Sequence, residues 1–412
     1  AAKNIFQNKK IALLSALFIG FGFLPVSYSH WARHWTAITF FYSMGIYILS
    51  HPNFSIAKRY FAAALLLGIG IGFNVQMSIF GVFALIWFFA FDRWPIGKLL
   101  RQKWLWQSIL AFILLFGLAF AIWPKGYGFF LLMGNAASST KVFSLFGVFK
   151  FYFLAFLSAE PVLLFFVFLG MLRMFFVERR KALALGGFVF AYLFFFYLFF
   201  RPYDRYILPL YPILAIVAGY GLHRFLEYAP RHIRVIALPL VCAFLFVPIL
   251  RFDYLLVKND TRVQAIRWIN ANIPAGAKIA TLSPLTRLPV TNEAFRNQEQ
   301  ISSESLRNVD RAEIKIDQSI LERKYFTLNF YNIWDRTFFA DLNERLTKNN
   351  FDYIIYNPSF AREKGFMNDF KGEEIKVFPG AFFSARLHEP FPDGFGDGIK
   401  GLFYSTNLGP EL

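Results

Sequence analysis

The chain has 412 residues, of which 57% are hydrophobic, 20% aromatic and only 17% charged, with 56 phenylalanines and one cysteine. Such a composition excludes a disordered, collagen-like or disulfide-built protein, and it is too apolar for an all-soluble one. Residues 1–250 carry 22 Lys and Arg against 5 Asp and Glu, whereas residues 251–412 carry 21 of each, so the whole basic excess sits in the apolar half and argues against a nucleic-acid partner.

Runs long and apolar enough to suggest membrane spans fall at 11–28, 35–50, 61–73, 76–91, 104–123, 159–177, 182–200, 207–223 and 232–250. The stretch 61–91 would run roughly 46 Å as one helix, too long for a ~30 Å hydrocarbon core. Its middle holds Gly68, Gly70, Gly72 and Asn74, and both its flanks are basic. Two basic flanks want the same side, so the stretch is expected to turn back as two short helices. Lone Cys242 lies in an apolar run and reads as packing.

Alternation of these nine spans puts 16 basic residues on one side and six on the other. The bias predicts a cytoplasmic amino end and an extracytoplasmic 251–412. In that second part, Thr261–Ile273 has helical spacing, Pro274-Ala275-Gly276 is a turn and Lys278–Leu282 a strand. A helix is expected over 337–348, with strands at 351–356, 374–378 and 382–387. The expected fold class is therefore a multi-pass α-helical membrane domain (1–250) followed by a smaller soluble α/β domain (251–412). The sequence opens Ala-Ala-Lys on the side its charges place inside, so a chain lacking upstream membrane helices is expected.

The apolar half has only five acids, and the topology puts just Glu160 and Asp204 on the outer side. These are the candidates for a catalytic base. Glu160 precedes Pro161, a pairing that equally suits a helix start. Asp204 stands between Arg201 and Arg205, which suit a lipid phosphate because a guanidinium fork matches two phosphate oxygens, and which equally suit interfacial anchoring. An outer loop holds His30, Arg33 and His34 among aromatics; Arg33 fits a phosphate or sugar contact, and two His without an acidic partner make a poor metal site. Loop 124–147 reads as a long outer connection. No phosphate-binding Gly loop, nucleophile elbow or zinc-protease signature is present.

The run Arg205-Tyr206-Ile207-Leu208-Pro209-Leu210-Tyr211-Pro212 resembles a late helix of the polytopic GT-C glycosyltransferases, relatives of protein O-mannosyltransferases and of the bacterial aminoarabinose transferase of lipid A. Phe23-Leu24-Pro25 with Ser29–Arg33, Tyr60–Phe73, and Arg262–Ile279 are similar to further parts of that family, in the same order. The resemblance implies sugar transfer from a polyprenyl-phosphate carrier to a lipid, glycan or protein acceptor at the outer face of a bacterial inner membrane. Arg33, His34, Arg201, Arg205 and Tyr206 are then the candidate substrate-binding residues. The family's acid lies in a loop upstream of anything matching residue 11, and a second family acid is replaced here by His34-Trp35. A divalent metal is therefore left open. The alternative is a non-catalytic lipid or polysaccharide transporter, or an assembly subunit.

Overall fold

The computed structural model describes residues 1–29, 34–73, 75–92, 95–122, 144–199, 204–258, 261–282, 288, 293–294, 325–329, 350–356 and 375–378. Most of them are helical. They fall into two compact units, one comprising the described residues of Ala1–Phe252 and the other those of Asp253–Ala385.

The first unit opens with α1 (Ala2–Phe6), α2 (Lys9–Phe21), α3 (Phe23–Ser29), α4 (His34–Leu49) and α5 (Ile56–Phe73). The Asn8 side chain starts α2 by accepting from the Lys10 amide at 2.8 Å. A 3₁₀ turn, Val75–Ser78, leads to α6 (Ile79–Trp87), which ends in a π turn, Phe88–Asp92. Stretch 61–91 thus does turn back as two helices. Next come α7 (Ile96–Leu100), α8 (Lys103–Ile122), α9 (Leu145–Ala159), α10 (Pro161–Val177) and α11 (Arg179–Phe199). A 3₁₀ segment, Asp204–Leu210, feeds α12 (Tyr211–Tyr228), and α13 (Arg231–Val257) crosses the unit boundary.

Two expectations change here. Span 11–28 is one apolar run but not one helix: α2 and α3 meet at a 47° bend. Pro25 causes it, because in a continuous helix its ring would strike the carbonyl four residues back. Residues 145–158 were expected to lie in the outer loop and the approach to the next span. They belong instead to α9, which buries one face through Val148, Tyr152, Ala155, Phe156 and Ala159. The charge of Lys150 interrupts its apolar run and hides the helix from a hydropathy reading.

Among the described residues, three helices are long and apolar enough to cross a membrane: Arg179–Leu198, Tyr206–Tyr228 and Arg231–Val257. The bent pair α2–α3 makes a fourth if taken as one span. Shorter apolar helices lie before the three long ones in the chain, among them Leu145–Ala159 and Pro161–Val177. Nine spans were expected; besides the long helices, the described residues hold five apolar helices of 10–17 residues. Only 22% of the residues in the most apolar stretch of α13 are buried, and Leu240, Phe244, Val247 and Leu250 are exposed along it. An exposed apolar face of this kind suits hydrocarbon rather than water. These features are compatible with an integral membrane protein.

Helix α12 is the core of the unit, with every residue from Tyr211 to Leu222 buried. It packs on α2 and α10 at backbone distance. A Cβ on Gly221 would come within 2.1 Å of the Phe166 carbonyl oxygen, and one on Gly170 within 2.4 Å of that of Val217. Small residues permit such approach where packing, not water expulsion, must hold helices together. A second core is aromatic: Tyr42 of α4 meets Phe80 edge-on at 5.4 Å, and Phe83 of α6 meets Phe188 of α11 at 4.8 Å.

The second unit has α14 (Thr261–Asn272) and a parallel three-stranded sheet ordered β2-β1-β3, with β1 Lys278–Leu282, β2 Phe326–Asn329 and β3 Tyr353–Tyr356. Central β1 buries Ile279, Ala280 and Thr281 in succession, hence both its faces, as parallel strands do. Ile269 of α14 and Ile273 just after it pack in one cluster with Ile279 and Tyr325. Gly276, at φ +85°, makes the turn between α14 and β1. The strand expected at 374–378 is not formed over Ile375–Phe378, which join no ladder among the described residues. Phe378 instead meets Trp268 edge-on at 6.2 Å. The helix expected at 337–348 and the strand at 382–387 lie outside the described residues.

Candidate functional site

The break between α2 and α3 creates a local demand. Gly22 is extended (φ −71°, ψ 137°), and its carbonyl accepts the Val26 amide to begin α3. Of the donors that remain in the first turn, Pro25 has none to offer. Phe23 and Leu24 carry the two amides left over. Glu160, only 3% exposed, meets that demand. Its Oε1 accepts from the Leu24 amide at 2.7 Å, and the Phe23 amide faces the same carboxyl group.

Glu160 itself sits in the one-residue gap between α9 and α10. Its side chain makes no capping bond to its own helix, although Pro161 opens α10 as a first-turn residue. The sequence-level alternative of a helix start therefore holds for the backbone, while the carboxyl group caps a different helix. Beside it lies Tyr211, fully buried, whose hydroxyl interacts electrostatically with the Glu160 carboxyl group but makes no hydrogen bond of ordinary geometry. Gly22 makes room for that hydroxyl, since a Cβ there would fall 1.8 Å from it. A narrow cavity of about 10 Å³, lined by Phe23, Glu160, Phe244 and Pro248 among others, adjoins the carboxyl group. It has room for no more than one water.

Tyr211 directly follows the 3₁₀ segment Asp204–Leu210. That segment packs against α3, α4 and α9. The Tyr192 hydroxyl donates to the Tyr206 carbonyl, and the Tyr206 ring stacks on Phe196 at 5.2 Å. Pro209 lies inside the segment and keeps it from continuing α12 as regular α-helix. The structure so brings Glu160, the broken helix and the Asp204–Leu210 segment together at one end of the unit.

Tyr206 is half-buried and anchored. Asp204 and Arg205 open the 3₁₀ segment and His34 opens α4; their side chains lie outside the described residues, as do Arg33 and Arg201 altogether. Among the described residues no three metal-ligating side chains converge. Sequence reasoning missed Tyr211, Tyr192 and Gly22. The signal for Gly22 was present, as Gly-Phe-Leu-Pro marks a helix restart; the tyrosines carry none, being two among 19.

At the opposite end, Asp92 closes a second polar cluster. Arg59 donates to it at 2.6 Å and Tyr60 at 2.7 Å, while Arg59 also holds the Leu49 carbonyl at 2.9 Å. These bonds tie the end of α4, the start of α5 and the π turn after α6. No protein-family model, curated protein or solved structure matches this chain.

Proposed function

We propose that this chain belongs to a GT-C-like membrane glycosyltransferase: a multi-pass helical membrane domain followed by a smaller extracytoplasmic α/β domain, in a bacterial inner membrane. In this reading an acceptor hydroxyl attacks the anomeric carbon of a sugar carried on polyprenyl phosphate. The sugar–phosphate bond breaks and the lipid phosphate leaves with its electron pair. Arg33, Arg201 and Arg205 hold that phosphate, and Asp204 takes the hydroxyl proton. The observation that carries the reading is the placement of Asp204–Leu210, the segment on which the resemblance rests. It is a pinned, irregular turn at the mouth of the most buried helix, next to a second irregular element, the α2–α3 break. Irregular backbone at helix ends is where polytopic membrane proteins build sites. Glu160 is better read as a bracing group than as the base, because its carboxyl group is committed to the α3 amides.

One observation favours a second reading. A broken helix with a buried acid at the break is also how transporters form substrate sites. The two separate in one assay, in which membranes with and without the protein receive a polyprenyl-phosphate-linked radiolabelled sugar. Protein-dependent appearance of label in an envelope acceptor, with release of free lipid phosphate, supports the transferase. Protein-dependent movement of the intact labelled lipid between leaflets, without transfer, supports the transporter and overturns the enzyme.

A further inference from the structure

A cavity of about 220 Å³ lies between α5, α6 and α8, walled among others by Ala64, Leu67, Phe80, Ala84 and Phe112. It is larger than the ~150 Å³ apolar cavities that stay dry and admit hydrocarbon. Of its polar side chains, Tyr60 donates to Asp92 and Ser108 to the Trp104 carbonyl. The rest of the lining is apolar but for the Trp104 indole. It opens sideways past Leu85 and Ile109, which are 58% and 38% exposed. Its end is marked by Leu99 and Trp104, and the residues around these in sequence, Lys98, Arg101 and Lys103, are exposed cations. The described acid in the same region, Asp92, is already bound by Arg59 and Tyr60.

An apolar slot with a basic rim matches one class of molecule. We infer that this groove holds an acyl chain of an anionic phospholipid from the surrounding bilayer, with its phosphate at Lys98, Arg101 and Lys103. Basic pockets between membrane helices bind such headgroups, and Trp104 suits the interface between chain and headgroup. The site is distinct from the sugar-transfer site proposed above. Helix α11 starts beside the π turn Phe88–Asp92 and ends just before Asp204, so about 30 Å of helix separates the two ends. Lipid binding here rests on membrane insertion and not on sugar transfer.

Native mass spectrometry of the protein in nanodiscs tests this, using equimolar phosphatidylglycerol and phosphatidylcholine with identical acyl chains. The protein is expected to retain phosphatidylglycerol in at least about tenfold preference, since each basic residue near a membrane surface contributes roughly fivefold. The triple variant Lys98→Gln/Arg101→Gln/Lys103→Gln should lose that preference. Gly81→Leu, which fills the groove from α6, should lose the retained lipid; a Cβ there meets only Leu67 Cδ2 at 3.5 Å, so the first added carbon is tolerated. Equal retention of both lipids, preference surviving the triple variant, or an undiminished lipid adduct in folded Gly81→Leu would each overturn the inference. If Gly81→Leu does not fold, the surface triple variant decides.

Discussion

Glu160 Oε1 lies 2.7 Å from the Leu24 amide nitrogen, across 136 residues of chain. The contact joins the gap between α9 and α10 to the gap between α2 and α3, so two breaks in regular helix satisfy each other. A buried acid that accepts backbone amides is a structural brace first. Its loss should unsettle the fold before it touches chemistry.

Glu160→Ala is accordingly expected to cost about 1–3 kcal/mol, the range for buried amide donors left unpaired. Glu160→Gln keeps a carbonyl oxygen for Leu24 and should lose clearly less. Thermal unfolding in detergent checks both. Sugar transfer in Glu160→Gln should stay within about tenfold of wild type; abolished transfer with an unchanged melting temperature would make Glu160 the base.

Two glycines on buried and open helix faces should respond with opposite sign. Gly221→Ala forces a Cβ within 2.1 Å of the Phe166 carbonyl, a backbone atom that cannot swing away, and should destabilise by about 1–3 kcal/mol. Gly187→Ala meets nothing within 4 Å and gains up to about 1 kcal/mol of helix propensity. Equal effects of the two would contradict the close α10–α12 packing.

Arginine chemistry at the 3₁₀ segment gives a graded prediction for the proposed transferase. Arg205→Ala should slow transfer roughly 30- to 1,000-fold, by analogy with the ~2–4 kcal/mol lost on removing an oxyanion donor. Arg205→Lys should fall between, because an ammonium keeps the charge but cannot grip two phosphate oxygens. Arg224, paired with Glu227 at 2.5 Å on a half-exposed turn, is the control, and Arg224→Ala should matter little. Equal losses at 205 and 224 would leave Arg205 as an interfacial anchor.

Orientation is a separate matter, expected from the charge bias alone. With Cys242 replaced by Ala and a cysteine introduced near residue 300, a membrane-impermeant thiol reagent applied to intact cells should label the protein. Protection of that cysteine until the membrane is opened would reverse the assigned orientation and remove the outer-face enzyme with it.

Local physics made much of the fold legible from the residues alone. Apolar runs located α4, α8, α10 and α11 to within a few residues, because a helix in an apolar setting needs little beyond composition and length. The glycines and basic flanks of 61–91 sufficed to split it into α5 and α6. Alternating and continuous apolar patterns placed α14, β1 and β3, while β2 (Phe326–Asn329), a short strand, went unseen. What the sequence could not determine is pairing across long separations. That Glu160 caps α3 rather than its own helix, that Tyr211 lies beside it, and that Gly170 faces Gly221 are decided only when helices distant in sequence are brought to backbone contact. The reason is physical: an acid before a proline has the same local preferences wherever the chain goes, and only tertiary packing decides which unsatisfied amides it meets.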